Sequence, residues 1–307
     1  MSDVKYTNDS PRMSTPPVET EIRTTESTEA GHTGTQIQHV IVDNGSGANK
    51  SVDGKMRVSS MPYLYDIAEG NVSGHTAWFK IGYSPTMTSP ESVVWSKAGA
   101  YVFPAAPGIR MAVASSSITD DIAAGAGCQQ VTIEYLDAGY VTKTEVVTLD
   151  AADGQTKVNT VASDILRVNS FRVTRAGANG KPTGSISLTN TGGTVTYSFI
   201  TAGYTRARNS VFTVPDGKIL YVVEATLGYG HATNQTHYAR LFIRANQNNE
   251  ILIAGIYYPF AEVISHGGSI VIPYSSPIKF VQHVDVFVGG VATTSGIATS
   301  VMRGWLE

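Results

Sequence analysis

The chain has 307 residues, 42% of them hydrophobic, with a formal net charge of -3 and only 15% charged side chains. That is enough apolar material for one large or two ordinary packed domains, and the weakly acidic balance argues against the basic stripe by which a nucleic-acid binder neutralises phosphates. No apolar run approaches the roughly 20 residues of a bilayer-spanning helix, and the single Cys128 excludes an internal disulfide framework and reads as a small buried thiol.

Residues 1–60 read as an extended arm. The opening MSDVKYTNDSPRMSTPPVETE has no basic-then-apolar signal pattern, so the chain is expected to be made and kept in a cytoplasm. Val4, Tyr6, Met13, Val18 and Ile22 are scattered among Ser, Thr, Pro and Glu, too thinly to offset the entropy of ordering the segment alone. Ile37–Asp43, with Val40 and Val42, leads into the turn Asn44-Gly-Ser-Gly47, and Lys55–Val58 follows Asp53-Gly54. Two marginal strands of this kind are unstable without a sheet to join. The arm is therefore expected to dock by strand addition, with Val4, Tyr6, Val18, Ile22, Val40 and Val42 as candidate interface residues.

A first folded body is expected from 61 to 203. Its strands are predicted at 76–82, 92–95, 100–103, 110–114, 129–136, 140–149, 165–174, 184–189 and 195–201. Val131, Ile133 and Tyr135 alternate with Thr132 and Glu134, the period of a strand with one buried face. Asp137-Ala-Gly139, Ala176–Gly180 and Thr191-Gly-Gly193 supply turns, and 160–165 is expected to hold one helical turn. A second body is expected from 204 to 307, with strands at 211–214, 218–227, 238–245, 250–257, 269–273, 284–288 and 297–305. Pro259, Pro273 and Pro277 should lie on edges or turns, because a central strand needs the amide they lack. The fold class is all-β: two β-sandwich, jelly-roll-like bodies behind an N-terminal arm.

Nothing in the pattern points to catalysis, a cofactor or a metal. The seven histidines form no His-x-His or i, i+4 pair, although His231 and His237 could meet across a hairpin. Asp120-Asp121 and Asp150…Asp153 lack the alternating oxygen ligands of a calcium loop and read as solvated turns. There is no Gly-x-Ser-x-Gly elbow and no activated cysteine signature. Arg172, Arg175, Arg206 and Arg208 gather near the expected join of the two bodies. They suit a bridge to acidic neighbours or a partner subunit, with Arg206 and Arg208 as candidate interface residues. Tyr229, Tyr238 and Tyr257 are candidate glycan contacts, since aromatic faces stack on sugars.

Asp66-Ile-Ala-Glu-Gly-Asn-Val-Ser-Gly-His75, Trp78-Phe-Lys-Ile-Gly82, Val94-Trp95 and Tyr101-Val-Phe-Pro104 resemble a family of uncharacterised virion structural proteins of tailed bacteriophages. Val131–Asp137, Val147–Leu149, Ile165–Arg167 and Phe212–Lys218 carry the same resemblance, which covers residues 61–307. It implies a non-enzymatic virion protein, with a capsid decoration (cement) role bracing the major capsid protein as the leading expectation. A neck, tail or fibre component and a glycan-binding host adhesin are the alternatives, and a depolymerase is the third reading. A homo-oligomer is expected, a trimer by analogy with other shells, with no membrane or nucleic-acid partner.

Overall fold

The computed structural model describes residues 63–307, except 124, 232–237, 249–250 and 254. The expected arm, with Val4, Tyr6, Val18, Ile22, Val40 and Val42, therefore lies outside the described residues. The chain divides into two compact units, 1–73 and 74–307. In the first, the described part is a short helix, α1 (Tyr63–Ala68), where no helix was expected. The amides of Glu69, Gly70 and Asn71 close its end, with Gly70 in the left-handed region (φ 78°) that lets the chain turn away.

The second unit is antiparallel β throughout. It opens with β1 (Thr76–Met87) and β2 (Ser92–Val93). Next come β3 (Met111–Ser115), β4 (Cys128–Leu136), β5 (Thr142–Thr148), β6 (Val158–Asn159), β7 (Arg167–Ala176), β8 (Ile186–Asn190) and β9 (Thr196–Ile200). The C-terminal part holds β10 (Phe212–Thr213), β11 (Leu220–Gly230), β12 (Ala239–Ala245), β13 (Gln247–Asn248) and β14 (Ile251–Leu252). It ends with β15 (Tyr258–Ser265), β16 (Gly268–Phe280), β17 (Asp285–Ala292) and β18 (Gly296–Leu306).

These strands build two sandwiches, one nested in the other. In the host sandwich, a sheet ordered β1-β18-β11-β16 faces a sheet ordered β10-β17-β12-β15, with β2 beside β17. Leu220, Val222, Leu227 and Met302 of the first sheet meet Leu241, Ile243, Val286 and Val288 of the second in one buried core. In the inserted sandwich, β6-β3-β8-β9 faces β5-β4-β7 across Met111, Val113, Ile186, Leu188, Val131, Ile133 and Phe171. The alternation of Val131, Ile133 and Tyr135 is what delivers their side chains to this core.

Sheet membership redraws the expected boundaries. β1 and β2, placed by sequence in the first body, pair with β18 and β17 of the second. The β1–β18 register runs from Thr76↔Leu306 to Met87↔Gly296, so the strand that opens the unit completes the sheet of the strand that closes the chain. Trp95 bridges to Asn209, which brings the two ends of the insertion together. Other departures are local. Residues 100–103 form no strand; Tyr101 instead packs edge-on against Trp95 and Phe103 at 5.2 and 5.1 Å. The expected helical turn at 160–165 is bent, non-helical chain, with Ile165 bridging Ile109 and the Thr160 hydroxyl donating to the Met111 and Ala162 carbonyls. Of the strand expected at 250–257 only Ile251–Leu252 (β14) is formed among the described residues, where the chain turns back on β13 before β15 begins.

Proline placement follows the expectation. Pro259 lies in β15, and Pro273 and Pro277 lie in β16, and both strands are sheet edges.

Candidate functional site

The two sandwiches are joined by a dense polar seam. Arg167 of β7 grips Asp285 of β17 with both Nε (2.8 Å) and Nη2 (3.0 Å). The Thr213 hydroxyl and the Asn246 side chain complete the shell around Asp285, the hydroxyl donating to its carboxylate and Asn246 accepting from its backbone amide. Asp285 is buried and Arg167 largely so, and the pair is held by the three hydrogen bonds that reach the carboxylate. Beside them, Asn169 and Thr213 exchange two hydrogen bonds, Nδ2 to the carbonyl at 2.8 Å and amide to Oδ1 at 2.9 Å. Tyr140 stacks on His283 at 4.2 Å, and the Asp216 amide donates to the Tyr140 carbonyl.

Next to this seam lies a cleft of about 400 Å³. One wall is β1 from Thr76 to Ile81, the edge strand of its sheet. The opposite wall is Glu134, Thr142, Asn169 and Ser170 of the inserted sandwich. Arg206, Ala207 and Asn209 line it where the chain returns to the host sandwich, and Phe212, Pro215, Lys218 and Leu306 complete the lining. The return segment is held on both sides: the Ala207 amide donates to the Phe171 carbonyl, and the Tyr83 amide to the Arg208 carbonyl.

The cleft's charge is set by alternation along β1. Trp78 and Gly82 turn inward, and Lys80 shares their phase. Trp78 packs edge-on against Phe212 at 5.0 Å, while the Lys80 ammonium lies 5.9 Å from the same ring and donates to the Asn169 carbonyl. Burial pulls the Lys80 pKa down to about 8, opposed by Glu134 and reinforced by Arg206. Phe79, in the opposite phase, is 54% exposed, and Arg206 lies over its ring at 5.4 Å. Arg208 is clamped between the rings of Tyr83 and Tyr204, 3.8 Å from each, and its buried Nε has no hydrogen-bond partner among the described residues. Among the described residues, none of Lys80, Arg206, Arg208 and Lys218 has a carboxylate within ion-pairing distance.

Arg206 and Arg208 therefore do sit at the join, and Arg172 bridges Arg206 directly. Among the described residues it is aromatic faces, and no acidic neighbour, that Arg206 and Arg208 meet. The three tyrosines do not come together as a surface. Tyr229 is buried in the host core and donates its hydroxyl to the Thr294 carbonyl, because it falls in phase with the buried Ala225 and Leu227 of β11. Tyr257 packs edge-on against Phe287 and is half-buried, its pKa pushed up to about 12 chiefly by burial. Tyr238 alone is well exposed, tilted over His266. Phe79, Lys80 and Lys218 stand in the motifs that carry the resemblance but were not among the candidate site residues. The signal for Lys80 was there: a single cation at the core-facing phase of Trp78-Phe-Lys-Ile-Gly82.

The acidic pair at 120–121 is a structural knot, not a solvated turn. Asp120 is fully buried and accepts from the Ser115 hydroxyl (2.6 Å) and the amides of Cys128 (2.6 Å), Thr183 (2.9 Å) and Gly184 (2.8 Å). A Cβ on Gly127 would stand 1.9 Å from the Asp120 carboxylate, which explains the small-residue run around it. Cys128, beside this carboxylate, is buried, and burial with the nearby Asp120 charge pushes its thiol up to about 12. Among the described residues no three His, Cys, Asp or Glu side chains gather as metal ligands, and no helix is long and apolar enough to cross a membrane. His237, expected to meet His231, lies outside the described residues.

No protein-family model matches the chain, and comparisons with curated proteins and with solved structures return no match.

Proposed function

We propose that the chain is a non-enzymatic structural subunit of a tailed-phage virion, a capsid decoration protein that braces coat subunits and associates with copies of itself. The observation that carries this reading is a set of exposed apolar side chains on the two edge strands β15 and β16 of the host sandwich and in the segment 251–256 that precedes β15. Ile251 and Leu252 of β14, Ile256, Ile264 of β15 and Val271 of β16 are 42–65% exposed. Large apolar side chains left in solvent within one stretch of chain, 251–271, are the kind of surface that a protein partner covers. The seam built on Arg167 and Asp285 supports the same reading, since a brace must transmit load between its two bodies without yielding.

The sheet edges bear on how such a subunit associates. Pro259, Pro273 and Pro277 remove amide donors from the edge strands β15 and β16, and Lys80 is an inward-pointing charge on the edge strand β1. These are devices that resist strand addition. Association through side-chain faces, repeated over many copies, is the mode this body favours.

The test is the number of copies per purified virion, by quantitative mass spectrometry against the major coat protein. Hundreds of copies in simple ratio to the coat are expected. A few to a few dozen would move the protein to the neck, tail or fibres, and absence from the particle would overturn the structural reading.

A further inference from the structure

We infer that the cleft between the two sandwiches is a binding site for an acidic sugar, a pyranose carrying a carboxylate, held by Lys80, Arg206 and Lys218 and stacked on Phe79. The inference stands on the cleft and holds whether the chain sits on the shell or on the tail.

Charge is the first argument. Three cations and one carboxylate, Glu134, line the cavity, and among the described residues no acidic side chain neutralises those cations within ion-pairing distance. A half-buried ammonium of this kind costs free energy unless an anion meets it, and a carboxylate arriving from solution supplies that partner. The lowered pKa of Lys80 is the same deficit seen from the proton's side.

The neutral groups decide what kind of anion. Trp78, Phe79, Phe212, Pro215 and Leu306 give the cleft apolar walls, and a pyranose presents C–H faces that pack on such surfaces. Thr142, Asn169, Ser170 and Asn209 bring hydroxyl and amide groups able to serve ring hydroxyls. The lining holds no glycine-rich loop opening a helix, the backbone cradle of many phosphate sites, and its apolar walls suit a sugar ring better than a bare phosphate. The volume of about 400 Å³ lies in the range of about 300–1,000 Å³ typical of small-ligand sites, enough for one or two sugar rings.

The experiment titrates the full-length protein, by calorimetry and by ligand-observed NMR, with glucuronic acid and with N-acetylneuraminic acid. Methyl glucoside, acetate and inorganic phosphate are the comparison ligands. Saturable binding of at least one acid sugar is expected, at least about tenfold tighter than methyl glucoside or acetate, the scale of one charge-assisted hydrogen bond. Arg206→Ala, at an exposed position where folding is not at stake, should weaken it about tenfold, and Phe79→Ala should weaken it as well. Affinity should also fall as the pH is raised through about 8, where Lys80 loses its proton, and Lys80→Met should abolish that dependence. No binding of either acid sugar overturns the inference. So does phosphate or methyl glucoside binding as tightly, or binding that Arg206→Ala leaves unchanged.

Discussion

The inserted and host sandwiches share a fold class but are stabilised in different ways. The inserted sandwich, β3 to β9, is continuous in sequence, and its loops are tied by one carboxylate: Asp120 gathers four donors from three separate segments. The host sandwich is split in sequence and has long strands around a mostly aliphatic core, closed by the pairing of β1 with β18. One is held by local polar convergence, the other by the meeting of distant segments. The difference teaches where each is vulnerable.

The largest effect should come from removing β1. A chain of residues 204–307 keeps most host strands but loses β1, one of the two partners of β18, and Trp78, Met87 and Val94 from the core. Full burial of each such side chain contributes roughly 1.5–3 kcal/mol, so the fragment should lack dispersed NMR signals and a cooperative thermal transition. Next in size is the seam. Asp285→Asn leaves the Arg167 guanidinium buried beside a neutral partner, and a loss of about 3–5 kcal/mol is expected from denaturant titration. Replacing both residues with apolar ones of similar size should recover much of that loss. If the single and double variants lose the same amount, the pair is not the tie between the sandwiches.

Asp120→Asn should cost less, about 2–3 kcal/mol, because an amide group would face the donors that the carboxylate now accepts. Hydrogen exchange should show the damage in β3, β4 and β8 and leave β11, β12 and β17 protected. Equal loss in both sandwiches would mean that they unfold as a single unit.

The smallest effect concerns Lys80 and the pH dependence of stability. Its folded pKa of about 8 lies below the ordinary 10.5, so between these values the unfolded chain binds more protons than the folded one. Stability from this group therefore rises with pH across that window and is lowest below it. Lys80→Met should flatten the difference between pH about 7.5 and about 10 in thermal melts, without altering the fold.

Much of the fold was legible from local pattern. The alternation around Val131, Ile133 and Tyr135 located β4, the turn at Asp137–Gly139 located its hairpin, and the prolines of β15 and β16 located two sheet edges. The nesting was not legible, because the partnership of Thr76 with Leu306 spans nearly the whole second unit and leaves no mark on either strand alone. The aromatic wedge at 101–103 was hidden for a related reason: apolar residues without a sheet neighbour look like a strand. Of the candidate site, the arginines at the join could be read as a cluster. Their aromatic partners, Tyr83 and Tyr204 for Arg208 and Phe79 for Arg206, come from segments that only the fold unites. The phase of Tyr229 with Ala225 and Leu227 could have marked it as core.

The nested arrangement is tested most directly by cutting out the inserted sandwich. Trp95 pairs with Asn209, and the Ser96 hydroxyl and Arg208 backbone are hydrogen-bonded, so a short glycine-serine link can replace residues 98–206 without stretching the chain. The remaining chain should give a dispersed NMR spectrum with cross-peaks between β1 and β18, and melt cooperatively. An unfolded product, alongside a folded fragment of residues 204–307, would contradict the account.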